Sequence, residues 1–173
     1  MASTGTVLRG AAVVLRPATP GDAGRLTEVL THPEVGRWWG AWDPERVRED
    51  LLGDEETTVY VIEVGGGEVA GLIQAWEEPD PEYRHAGIDL ALHPDWQGRG
   101  LGTDAVRTLA RHLVTDRGHH RLTIDPAADN ERAIRCYARV GFKPVGVMRR
   151  YERGADGTWH DGLLMDLLAD ELR

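Results

Sequence analysis

Cysteine is nearly absent. With Cys136 alone among 173 residues, no intrachain disulfide and no cysteine-cluster zinc site can form. No histidine motif accompanies it, so a buried structural thiol explains Cys136 better than a nucleophile does. Basic residues are also in short supply. Twenty Lys and Arg stand against 29 Asp and Glu, a net charge of −9. Phosphate-binding surfaces need clustered Lys and Arg, so nucleic acid is excluded as a main partner, and an anionic membrane would repel the chain. Long apolar runs are missing too: none could span a bilayer, and Met1–Gly10 lacks the apolar core of a secretion leader. A soluble, cytoplasmic protein is expected. The seven histidines (His32, His85, His93, His112, His119, His120 and His160) show no metal-ligand spacing, so no metal is expected. The adjacent pair His119-His120 reads as an exposed helix end. What the chain does have is excess negative charge, which keeps it soluble and is compatible with a cationic substrate.

No repeat, low-complexity tract or linker divides residues 1–173, and the length suits one domain with a continuous core. Ala11–Leu15 reads as a first strand ending in a turn at Arg16-Pro17. Thr19 and Asp22 suit the start of a helix carrying Leu26, Val29 and Leu30, and Asp43-Pro44 opens a second short helix. Thr57–Val64 and Glu68–Trp76 are β-rich. The Gly65-Gly66-Gly67 run between them is a hairpin turn rather than a phosphate cradle, because no helix follows. Trp38, Trp39 and Trp42 crowd one loop, either anchoring it to the core or offering indole faces to a sugar or a cation. Strict alternation marks a strand over Gly87–His93, with Ile88, Leu90 and Leu92 on one face and Asp89, Ala91 and His93 on the other. A loop, Pro94–Gly102, leads to a helix striped by Val106, Leu109, Ala110, Leu113 and Val114. A strand over Arg121–Asp125, a helix over Asp129–Val140 stopped by Gly141, and strands near Lys143–Arg150 and Thr158–Leu168 complete the order. Mixed strands and amphipathic helices predict an α/β (α+β) sheet with helices on both faces.

The segment Gln97-Gly98-Arg99-Gly100-Leu101-Gly102, followed by Thr103, lies between a strand and a long helix. Glycines admit a ligand close to the backbone, and the helix behind them offers free N–H groups and the positive end of its dipole. A pyrophosphate is the natural guest. The spacing is that of neither a P-loop nor a dinucleotide fingerprint. In the apolar strand beside it Asp89 is an interruption, and Asp125 ends the neighbouring strand. Glu77, Glu78, Asp80 and Glu82 form an acidic loop just before, which is either a solvated turn or part of a cleft that collects a cation.

Gln-x-x-Gly-x-Gly between a strand and a helix, followed downstream by Asn130, Ala133, Tyr137, Gly141 and Phe142 in Asn-x-x-Ala-x-x-x-Tyr-x-x-x-Gly-Phe, resembles the two signatures of the GNAT superfamily of N-acetyltransferases. The resemblance covers about Ile88–Phe142. It implies the GNAT fold, a central mixed and largely antiparallel sheet splayed between two parallel strands, here near Leu90–His93 and Leu122–Asp125. It implies acetyl-CoA as acyl donor, its diphosphate on Gln97–Thr103 and its pantetheine arm along Leu90, Ala91 and Leu92. Backbone N–H groups there would hold the oxyanion. It further implies direct attack by an amine, with Tyr137 as the acid that protonates the leaving thiolate. Asn130 either binds the coenzyme arm or only caps the helix, and Ala133 borders the same arm.

Within the superfamily, Glu34–Gly40, Gly87-Ile88-Asp89, Thr123–Pro126 and Asn130–Phe142 look most like aminoglycoside 6′-N-acetyltransferases. That likeness implies that Asp89 and Asp125 contact or activate an amino-sugar and that an aromatic near Trp39 walls the site; the tryptophan cluster and the acidic loop add Trp38, Glu78 and Asp80 as candidate substrate contacts. It also raises a resistance role. A protein N-terminal or lysine acyltransferase (acetyl or succinyl, with Arg84 or Arg149 able to pair with a succinyl carboxylate) is a second reading. A catalytically silent acyl-CoA sensor is a third. A monomer or a homodimer is expected.

Overall fold

In the computed structural model, which describes residues 5–173, the elements run in order β1 (Leu8–Arg9), β2 (Val14–Pro17), α1 (Ala23–Thr31), α2 (Pro33–Trp39) and α3 (Pro44–Arg46, continued by a π turn over Val47–Leu51). They continue with β3 (Thr57–Val64), β4 (Glu68–Glu77), β5 (Ala86–Leu92), α4 (Leu101–Thr115), β6 (Arg121–Ile124), α5 (Glu131–Val140), β7 (Lys143–Arg153) and β8 (Trp159–Leu168). Met1–Thr4, the start of the segment read for a leader, lie outside the described residues.

The strands form one sheet in the order β1-β2-β3-β4-β5-β6-β8-β7, antiparallel throughout except for β5 and β6. Alternating side chains send Ile62, Ile73, Ile88, Leu122 and Leu167 to one face, where they pack with Val106 and Leu109 of α4 and Val140 of α5. Val61, Leu72 and Ala91 face the other way and meet Leu26, Val29 and Leu30 of α1, with Val47 beside them. Both helical layers are therefore fixed by the period-two pattern of the central strands.

The two parallel strands touch only at their start. Ala86 pairs with Leu122 and Gly87 with Thr123; beyond that, β5 stays bonded to β4 as far as Leu92 while β6 follows β8. The chain leaving β6 is held on the β8 side: Leu163 N–H donates to the Pro126 carbonyl at 2.8 Å, and Ala127 bridges Gly162. A wedge-shaped gap opens from Ile88 onward.

Three local expectations are corrected. The first strand is a short hairpin, Leu8–Arg9 with Val14–Pro17, because the Asp104 carboxylate on α4 accepts the backbone N–H groups of Ala11, Ala12 and Val13 at 2.7–3.1 Å. Trp38 and Trp39 lie on a helix, α2, started by Pro33 and by the His32 ring accepting from Glu34 N–H; Trp42 alone is in the following loop. His119 is no exposed helix end. It is 1% exposed, past the end of α4, with its imidazole 3.2 Å from Glu77, which also takes a two-pronged contact from Arg117. Burial holds His119 below the ordinary histidine range.

Candidate active site

One side of the gap is the free edge of β5. His93 N–H bonds to Ala70 of β4, so alternate positions Ala91 and Asp89 also turn their backbone groups to β4, and those of Leu90 and Leu92 turn to the gap. Two side chains from outside the sheet meet them. Trp39 Nε1 donates to the Leu90 carbonyl at 3.1 Å and Gln97 Nε2 to the Leu92 carbonyl at 2.8 Å. Both carbonyls are thereby satisfied, and the Leu90 and Leu92 N–H groups are left directed into the gap.

The loop beyond the strand turns on glycine. Gly98 and Gly100 have φ of 76° and 77°, a left-handed conformation that L-residues rarely adopt, and Gly100 is the N-cap of α4. At Gly100 nothing would meet an added Cβ within 4 Å, so the helix terminus is open to an approaching anion. Gly98 and Gly100–Thr103 wall a channel of about 680 Å³, with Leu90–Leu92 opposite and Arg132, Arg135 and Arg139 along α5. These arginines recur on one face of an amphipathic helix, a spacing legible in the sequence but not singled out there. Arg99 leaves this wall: its guanidinium lies over the Trp96 ring, 4.9 Å from the centroid. Cys136 faces the channel beside Thr103 Oγ1, at 3.3 Å, and burial raises its pKa, which keeps it a thiol.

A second cavity, of about 520 Å³, lies on the other side of the gap and is walled by Asp89, Asp125, Tyr151, Glu152 and the Pro126-Ala127 turn. The two cavities share Trp38, Trp39, Leu90, Asn130, Ala133 and Tyr137, so they meet at the open edge of β5. Asn130 Oδ1 accepts from Ala133 N–H at 3.2 Å, so it caps α5, and the same residue borders both cavities.

The second cavity is a place where carboxylates resist ionising. Burial, then the Asp125 charge, pushes Asp89 up to about 7, against the opposing Gln74 amide directed at it. Burial also raises Asp125, and the Tyr151 hydroxyl, directed at its carboxylate, offsets part of that. This contact, followed by burial, lifts Tyr151 to about 12. Glu152 is raised by burial and by Asp125. Tyr137 is buried, and burial holds its phenol well above the ordinary value, so the proton stays on oxygen at neutral pH.

Not every residue singled out in the sequence gathers here. Glu78 and Asp80 stand apart from both cavities: Glu78 Oε1 accepts the Asp80 N–H at 3.0 Å within their own turn, ahead of β5, whereas the gap opens towards the end of that strand. Arg84 is bound to the Arg117 and Gly118 carbonyls. Tyr151 and Glu152 had no local signal, since only strand register brings them to Asp125. Among the described residues, no group of three or more His, Cys, Asp or Glu could hold a metal ion, and no helix is long and apolar enough to cross a membrane.

A gap between two parallel strands, with an anion cradle on one side and paired carboxylates on the other, defines an enzyme that passes a group between two substrates. The chain belongs to the GNAT N-acetyltransferases: the family profile described as Acetyltransferase (GNAT) domain matches residues 12–143. Among curated relatives, the chain is similar to aminoglycoside N(6')-acetyltransferase type 1 of Klebsiella pneumoniae, 33% identical over 79% of this chain and 76% of the relative. It is similar also to N-alpha-acetyltransferase RimI of Mycobacterium tuberculosis, 32% identical over 83% of this chain and 88% of that one. Spermidine N(1)-acetyltransferase of Escherichia coli K12 is 27% identical over 88% and 84%. The family uses acetyl-CoA. The channel fits that donor, with a glycine cradle at a helix start for the diphosphate, arginines beside it, and an unpaired strand edge for an extended amide-bearing arm.

Proposed function

We propose that this enzyme acetylates a primary amine of a cationic small molecule, with the 6′-amino group of an aminoglycoside as first candidate. The observation that carries this reading is the acceptor cavity, where Asp89, Asp125 and Glu152 face a common space joined to the donor channel at Leu90 and Tyr137. Three carboxylates against a single arginine, Arg153, favour a polycation over an anion.

Each residue has a part in the transfer. Gln97–Thr103 and the α5 arginines hold the diphosphate end of acetyl-CoA, the source of the acetyl group. Leu90, Ala91 and Leu92 line the arm, and the Leu90 and Leu92 N–H groups stabilise negative charge on the acetyl oxygen as the amine nitrogen adds to the carbonyl carbon. The Asp89–Asp125 pair takes the proton from the ammonium group, which must be neutral to attack. Tyr137 gives its proton to the sulfur as the carbon–sulfur bond breaks. Trp38 and Trp39 cover the meeting point and exclude water from it. No acyl-enzyme is formed.

The relative named for N-alpha-acetylation favours a second reading, acetylation of a protein N-terminus. Succinyl transfer loses its candidate partners, because Arg84 is engaged elsewhere and Arg149 borders neither cavity. Thiol release from acetyl-CoA, measured across aminoglycosides, polyamines and N-terminal peptides, separates these. Highest kcat/KM on an amino-sugar supports the proposal and highest kcat/KM on peptides supports the second reading, while donor binding without thiol release leaves a sensor.

A further inference from the structure

Strand β7 does not match β8 residue for residue. Met148 pairs with Gly162 and Glu152 with His160, so Arg149, Arg150 and Tyr151 lie opposite the single residue Asp161. A ladder in plain register would set Arg150, not Glu152, opposite His160. The bulge therefore exchanges a cation for a carboxylate at this point of the strand. Arg150, at its middle, has a φ of 49°, and among the described residues no other non-glycine has a positive φ. That conformation is unfavourable for an L-residue and persists only where surroundings impose it. Asp161 does so: its carboxylate accepts the Arg150 N–H at 2.7 Å. Gly162 completes the arrangement, since a Cβ there would stand 2.9 Å from the Tyr151 ring that crosses it. Tyr151 and Glu152 thereby reach the acceptor cavity, Tyr151 with its hydroxyl towards Asp125.

We propose that this bulge, locked by Asp161, is a positioning device that seats Glu152 as a second ammonium site beside the Asp89–Asp125 pair, so that the enzyme selects acceptors carrying at least two amino groups. The proposal rests on the acetylation of cationic amines argued above and adds what fixes the second contact. One amino group lies at Asp89 and Asp125 for attack, while another is held at Glu152, at the mouth of the cavity. Tyr151 and Asp161 are positioning residues. Tyr151 steadies the Asp125 carboxylate, which is faced also by Asp89 from β5, Tyr137 from α5 and Glu152 from β7.

Two measurements test this. The first needs no substrate: the Asp125 side-chain carboxyl is titrated by carbon-13 NMR in the intact protein and in Tyr151→Phe, Asp161→Ala and Asp161→Asn. Tyr151→Phe and Asp161→Ala should raise its midpoint, whereas Asp161→Asn, which keeps an acceptor oxygen for Arg150 N–H, should restore it. An unmoved midpoint in folded Asp161→Ala, or in Tyr151→Phe should the former not fold, overturns the positioning role. In the second, Glu152→Gln is assayed with a diamine and with a monoamine of matched length. The KM for the diamine should rise on the order of tenfold, the loss of one charge-assisted contact, and that for the monoamine by much less, through the general loss of cavity charge alone. An equal change for both overturns the second ammonium site. If the intact enzyme acetylates no amine, the proposed function fails, and the NMR titration still decides the bulge.

Discussion

Trp39, at the end of α2, donates its indole N–H to the carbonyl oxygen of Leu90 at 3.1 Å, joining residues 51 apart in sequence at the point where the two cavities meet. The contact satisfies one carbonyl on the β5 edge that the separation from β6 leaves open. Trp39→Phe keeps an aromatic wall and removes the donor. It should cost about 1–3 kcal/mol through the orphaned carbonyl and raise KM for donor and acceptor together. A urea midpoint and both KM values equal to those of the parent would show that the carbonyl is satisfied without the indole.

Asp89 titrates near neutrality, so kcat/KM for the amine should rise as pH passes through about 7 and level off above it. Asp89→Asn should remove that limb and most of the turnover while leaving acetyl-CoA binding in place. Stability runs in the opposite sense. The folded chain holds a proton on Asp89 that the unfolded chain releases near pH 4, so folding stability falls as pH climbs between those values. Asp89→Asn should therefore be more stable than the parent at pH 8, on the order of a few kcal/mol, and nearly equal at pH 4. Denaturant melts at the two pH values would read the difference, and no gain at pH 8 would place the ordinary carboxylate range at Asp89.

Tyr137→Phe deletes only a hydroxyl from a buried ring in contact with Phe142, so the fold should persist. Thiol release should slow by ~10²–10⁴-fold, the usual range for an acid catalyst, with acetyl-CoA affinity unchanged. A rate near that of the parent would assign the proton to water.

At Gly100 space is not the obstacle; backbone conformation and charge are. Gly100→Glu should abolish acetyl-CoA binding in calorimetry, because a carboxylate at the start of α4 competes for the anion position. Gly100→Asn, which tolerates the left-handed conformation, should retain much of it. Equal loss in both would point to backbone strain instead of charge.

The acids outside the cavity offer a control. Glu78→Gln with Asp80→Asn should leave kcat/KM within about twofold, since exposed charges act weakly through solvent. A large loss would extend the acceptor site to the β4–β5 turn.

Much of the donor side was legible in the chain. The alternation of Ile88, Leu90 and Leu92, the glycines at 98 and 100, and the Asn130–Phe142 signature each depend on residues a few positions apart, where backbone conformation and helix periodicity are set. The acceptor side was legible only in part. Asp89 stood out because a charge in an apolar strand demands a reason, but the acidic loop at Glu78 and Asp80 drew attention on composition and is turned elsewhere.

What the amino-acid order determined by itself was the mixed sheet, the anion cradle at Gly98–Gly102 and the identity of the acyl donor. The sheet and the cradle are written in short-range patterns of glycine, apolar alternation and helix capping, and the donor in the family resemblance that Gln97–Gly102 and Asn130–Phe142 carry. Only the tertiary structure decided that Tyr151 and Glu152 join Asp89 and Asp125, that Trp39 closes on Leu90, and that His119 is buried against Glu77. The reason is physical. Strand register and the meeting of distant side chains come from packing summed over the whole sheet, and in β7 two extra residues change which side chain reaches the cavity without leaving any mark in the local pattern.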